Sequence, residues 1–67
     1  MKFASLYQND CLVEHDMVEQ NDLESYFKDS YKHHTGHRPS KHQVSVYLQG
    51  QAVVEIQGNL SSTWQAY

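Results

Sequence analysis

Two histidine-bearing spacings are the residues most able to do chemistry in this chain. Cys11 and His15 stand four apart, and His33 and His37 repeat that spacing, with His34 and His42 close by. Thiolate and imidazole pairs at such a separation are what a tetrahedral zinc site draws on, and such a site would be lost on acidification as its ligands protonate. Cys11, His15, His33 and His37 are therefore the metal-ligand candidates. The pattern lacks a C-x2-C half, and Gly36 should end a helix before His37 can sit one turn above His33. On balance no metal or other cofactor is expected. The same histidines suggest a second chemistry: four imidazoles within residues 33–42, beside Lys32, Arg38 and Lys41, would change the charge of that segment between about pH 5 and 7. The alternative is a turn that is merely polar.

Enzymatic signatures are missing. There is no G-x-S-x-G, phosphate loop or H-E-x-x-H helix, and 67 residues can hardly enclose a pocket deep enough to desolvate a substrate. Ser, His and acids are present, but composition alone does not make a triad. An enzyme is not expected.

Charge is distributed unevenly. Residues 1–27 carry Asp10, Glu14, Asp16, Glu19, Asp22 and Glu24 against Lys2, whereas residues 28–42 carry Lys28, Lys32, Arg38 and Lys41 against Asp29. An acidic end and a basic middle can steer two partners or can satisfy each other. The basic segment, interleaved with Tyr26 and Tyr31, could also meet nucleic acid, but a net charge of -3 and 5 Lys plus Arg limit counterion release. Tyr26, Tyr47, Trp64 and Tyr67 exceed what a small core should hide, and such side chains concentrate binding energy. Tyr26, Lys28, Lys32, His37, Arg38, Lys41, Tyr47 and Trp64 are accordingly the expected partner-binding residues.

The elements that must position them are those of a single small domain, with self-association an open option because so short a chain buries only about 60% of its unfolded surface. A lone Cys11 points to a reducing compartment, and no apolar run is long enough for a membrane span or a signal peptide, so a cytoplasmic protein is expected. Residues 1–20 fit helix and strand equally well, with Asp10 able to cap a short helix. From Asn21 the pattern sharpens. Asn21 with Glu24 resembles a capping box, Leu23, Phe27, Tyr31 and His34 form an apolar stripe with Tyr26 and Ser30 alongside, and Gly36 can close the end. A helix is expected over about 22–34.

Beyond Pro39 two readings compete. Ser40 could cap a helix over Lys41 to Gln49, giving a mostly helical chain with a helix-turn-helix outline. Val44, Val46 and Leu48 could instead alternate in a strand. Three-residue turns at Gln49-Gly50-Gln51 and Gln57-Gly58-Asn59 would put Val46 opposite Val54, Ile56 opposite Leu60 and Ala52 opposite Trp64, on one apolar face. That register favours an α+β fold: helix 22–34 on a three-stranded antiparallel meander of about 43–49, 52–57 and 60–66.

The run Asp22 to Pro39, with Tyr31, Lys32, Gly36, Arg38 and Pro39 at the defining positions, resembles a segment of small tailed-bacteriophage accessory proteins, in which Tyr-Lys leads into x-x-x-Gly-x-Arg-Pro. The resemblance covers about a quarter of the chain, and Ser40 departs from the basic or aromatic residue that often follows. It implies a virus-encoded protein in a bacterial host cytoplasm, where small chains commonly bind and inhibit a host enzyme or defence complex. The expectation is a protein-binding module; the alternative is a nucleic-acid-binding protein using residues 28–42.

Overall fold

Within residues 1–20, compatible with either regular structure, residues 2–18 form a β-hairpin in the computed structural model, which describes residues 1–56 and 60–67. Strand β1 (Lys2–Gln8) pairs antiparallel with β2 (Cys11–Val18). Asn9 and Asp10 make the turn with φ of 49° and 68°. Two consecutive positive φ values define the turn that best matches strand twist, and Asn and Asp tolerate them better than other side chains. Asp10 thus belongs to a hairpin turn and caps no helix. The register slips between Leu6 and Tyr7, where Val13 is the extra residue on β2.

A short 3-10 turn, Gln20–Asp22, leads into α1 (Leu23–Thr35). Gly36 closes the helix in the left-handed conformation (φ 79°), its N–H donating to the Lys32 carbonyl at 2.8 Å. The start differs from the capping box expected of Asn21 and Glu24, because Asn21 lies inside the 3-10 turn. No side chain caps α1; Glu24 pairs with Lys28 instead, at 2.8 Å.

The segment expected to be the first strand of a meander, 43–49, is helical: α2 (Lys41–Leu48). The capping box sits here. Gln43 N donates to Ser40 Oγ at 3.2 Å, and Ser40 N donates to Gln43 Oε1 at 3.1 Å. Strands β3 (Gln51–Ile56) and β4 (Leu60–Ala66) pair in the anticipated register, Ala52 with Trp64 and Ile56 with Leu60. The connection at Gln57-Gly58-Asn59 lies outside the described residues. β4 finds its second neighbour in β1, so the sheet has four antiparallel strands in the order β2-β1-β4-β3.

The fold is α+β, two helices on one face of that sheet. Ala4, Leu6, Val18, Ala52 and Trp64 from the strands meet Leu23, Phe27 and Tyr31 of α1 and Tyr47 of α2. Phe27 is the hub: it stacks on Tyr47 (centroids 4.3 Å apart, planes at 10°) and meets Trp64 edge-on at 5.7 Å. Such aromatic pairs add about 0.5–1.5 kcal/mol each beyond their burial. The accessible surface, 4482 Å², is close to the roughly 4,400 Å² expected of a monomer of 7.8 kDa, so this core closes without a partner. Neither helix is long and apolar enough to cross a membrane.

Candidate functional site

Helix α1 carries three side-chain stripes at i, i+4 spacing, and each has a different fate. Leu23, Phe27 and Tyr31 enter the core. Tyr26, Ser30 and His34 face the carboxylates of β2. The Tyr26 hydroxyl donates to Asp16; Ser30 Oγ donates to Glu14 Oε1 at 2.7 Å; His34 Nε2 meets Glu14 Oε2 at 2.9 Å. Trp64 Nε1 donates to Ser30 Oγ at 2.9 Å, so the chain Trp64, Ser30, Glu14, His34 ties sheet centre, helix and edge strand together. It places a Ser, a His and an acid side by side, yet Ser30 gives its proton to Glu14 while His34 also meets Glu14, so no imidazole is positioned to activate the hydroxyl.

This clamp perturbs two phenols. Tyr26 is held well above the usual phenol range, first by desolvation, then by its bond to Asp16 and the charge of Glu14. Burial, with a smaller contribution from Glu14, pushes Tyr47 up to about 12. Tyr47 Oη and Ser5 Oγ are buried without a hydrogen-bond partner among the described residues.

The third stripe, Glu24, Lys28 and Lys32, with Asp29 beside it, forms one wall of a cleft of about 680 Å³. Arg38 and Pro39 of the interhelical turn close one end, and Lys41 and Val44 of α2 form the other wall. Four of the chain's 5 Lys and Arg residues line it; the fifth, Lys2, is on β1. Glu24 neutralises Lys28 in an exposed pair worth a few tenths of a kcal/mol. Lys32, Arg38 and Lys41 have no ion-pair partner among the described residues, while Glu14 and Asp16 of β2 are engaged by His34, Ser30 and Tyr26. Acidic end and basic middle therefore satisfy each other only in part, through Glu24–Lys28 and Glu14–His34.

Of the eight residues expected to bind a partner, the cleft gathers Lys28, Lys32, Arg38 and Lys41. His37 is exposed in the adjoining turn, outside the cleft lining, its N–H donating to Thr35 Oγ1 at 3.1 Å. Tyr26 is half-buried against β2. Tyr47 and Trp64 are corrections: at 0% and 1% exposure they are core residues. Pro39 and Val44, the apolar part of the lining, were not among the expected residues; Val44 shares a face of α2 with Lys41, a signal visible only once 41–48 is read as a helix.

The zinc pairs are not brought together. The slip at Val13 puts Cys11 opposite Gln8 and His15 opposite Ser5, hence on different sides of the sheet, and His15 stacks on Phe3 (5.5 Å, 14°). Gly36 ends α1 between His33 and His37, and the His33 ring meets His34 edge-on at 4.9 Å. Among the described residues no three His, Cys, Asp or Glu side chains are grouped to hold a metal ion.

The class these features define is a two-layer α+β module with a cationic cleft between its helices. Comparison with protein-family models, with curated proteins and with solved structures gives no match to this chain.

Proposed function

We propose that this chain is a protein-binding module that receives an acidic segment of a partner protein in the cleft between α1 and α2. The observation that carries the reading is the convergence of Lys28, Lys32, Arg38 and Lys41 around an apolar patch of Pro39 and Val44. Lys32 is unpaired among the described residues and Lys28 is held only by its weak exposed pair with Glu24, so the two, one helical turn apart, suit carboxylates spaced along a helix or strand, and Arg38 offers the planar fork that pairs a carboxylate bidentately. The resemblance to tailed-phage accessory proteins supports a setting in which the partner is a bacterial host enzyme or defence complex, and occupation of the cleft would inhibit it in a bacterial cytoplasm.

Nucleic acid is the second reading, favoured by the same four cations. One feature weighs against it: the cleft lining contains no aromatic ring on which a base could stack. A fluorescence titration with a peptide bearing carboxylates at i, i+4, run beside one with a single-stranded oligonucleotide, separates the two. The proposal expects tighter peptide binding, weakened roughly tenfold by Arg38→Glu with folding unchanged, as loss of about 1.4 kcal/mol implies. Tighter oligonucleotide binding, with a log–log salt slope approaching about -3 for four neutralised single-strand phosphates, would replace the protein reading with the nucleic-acid one.

A further inference from the structure

The face of the sheet turned away from the helices is uncovered, and its residues fall into rows set by strand register. One row runs Met17, Phe3, Tyr67: Phe3 is opposite Met17 on β2, and its backbone exchanges hydrogen bonds with Tyr67 at 2.7 and 3.0 Å. A second apolar row runs Leu12, Tyr7, Thr63, Val53. Between them lies a neutral polar row, His15, Ser5, Gln65, Gln51, in which Gln65 Nε2 donates to Gln51 Oε1 at 3.0 Å. Of the chain's 5 basic and 8 acidic residues, only Glu55 projects from this face. Depletion of charge with aromatic enrichment marks the core of a protein interface, not an ordinary solvated surface.

We infer that a second copy of this chain covers the face, sheet against sheet. The charge pattern selects that occupant: a face with almost no charge has nothing to steer a charged partner, and it carries no like-charge penalty when it meets itself. The rows do the rest. A two-fold axis parallel to the strands lays each row on its own counterpart, and an axis perpendicular to them exchanges the two apolar rows. Either way apolar rows meet apolar rows and the polar row meets itself, the self-complementarity an isologous interface requires. Phe3, Leu12, Met17, Val53 and Tyr67 are 42–61% exposed. At roughly 150–250 Å² for a large side chain they present on the order of 500 Å² per copy, about 1,000 Å² in a pair. That lies at the lower limit for a specific interface, so a weak, concentration-dependent dimer is expected. The dimer would carry its helices outside, with two cationic clefts available to a bivalent partner, although the inference stands independently of what the cleft binds.

Sedimentation or light-scattering mass over roughly 5–500 µM tests it. Wild-type protein is expected to rise from one chain, 7.8 kDa, toward two. Met17→Lys combined with Val53→Lys, both on edge strands and outside the core, is expected to stay monomeric with an unchanged circular-dichroism spectrum. Concentration-dependent amide shifts of the wild type, which need no variant to fold, are expected at Phe3, Ser5, Tyr7, Thr63 and Gln65. A monomer throughout, a lysine variant that still associates, or shifts confined to α1 and α2 would each overturn the inference.

Discussion

Replacing Tyr47 with Phe removes one buried oxygen and leaves the aromatic packing in place. The side chain is fully buried, its ring stacks on Phe27 at 4.3 Å, and its hydroxyl has no partner among the described residues. An unsatisfied buried hydroxyl costs about 1–3 kcal/mol, whereas the dispersion attraction of a single oxygen atom amounts to a few tenths. Tyr47→Phe should therefore stabilise the protein by about 1 kcal/mol, which in a domain this small raises Tm by roughly 4–8 °C. The substitution also has a signature in pH. The folded state holds the Tyr47 proton up to about 12, while the unfolded chain loses it near the ordinary value of 10.0. Between those values the native state binds more protons, so the contribution is fully present below about pH 10 and declines as pH rises through 12. Two pH units correspond to about 3 kcal/mol, a large share of the roughly 3–10 kcal/mol expected for a chain of this length. Urea unfolding at pH 7 and from pH 9 to 11.5 reads both effects: greater stability at neutral pH, and a shallower alkaline decline that retains the share of Tyr26, whose phenol is also raised. A variant less stable than wild type by more than about 1 kcal/mol would refute the reasoning, since it would mean that the hydroxyl is hydrogen-bonded in solution.

The remaining perturbations address the clamp and the helix end. Glu14→Gln and Ser30→Ala should show a coupling of about 1–2 kcal/mol in a double-mutant denaturation cycle, because the carboxylate accepts a hydrogen bond at 2.7 Å from a largely buried serine. The exposed Glu24–Lys28 pair, tested the same way, should yield only about 0.3–0.5 kcal/mol. Gly36→Ala should cost about 1–2 kcal/mol by denaturation through backbone strain alone, since φ is 79° and an added Cβ meets nothing within 4 Å; Gly36→Asn should recover much of it.

Much of the fold was legible where one local signal had no competitor. The apolar stripe Leu23, Phe27, Tyr31 and the glycine after it set α1 to within a residue, and matched apolar faces fixed the β3–β4 register. Residues 41–48 misled because two signals conflicted: Val44, Val46 and Leu48 alternate as in a strand, while Ser40 and Gln43 start a helix. What decided between them was not local. β3 is left as an edge strand, and as a helix the segment lays Tyr47 over Phe27 in the core. The hairpin at residues 1–20 was hidden by the slip at Val13, which breaks the strict alternation that would have announced β2.

The site was half legible for a related reason. Counting aromatics against core size made Tyr47 and Trp64 look like surface anchors, but the count cannot tell which face of a strand a ring occupies: Trp64 falls on the covered face, and Phe3 and Tyr67 on the open one. The basic residues were readable as a group because four of them lie within residues 28–41, and the amphipathic pattern put Tyr26, Ser30 and His34 beside the apolar stripe, yet sequence offered nothing to show what would hold them apart from the stripe Glu24, Lys28, Lys32. That separation comes from β2, whose Glu14 and Asp16 engage the second stripe across the chain and leave the first facing Arg38 and Lys41. Glu14 and Asp16 therefore shape the cleft indirectly: Lys28 is already paired with Glu24, and had a β2 carboxylate reached Lys32 as well, only Arg38 and Lys41 would have been left for an acidic partner to read.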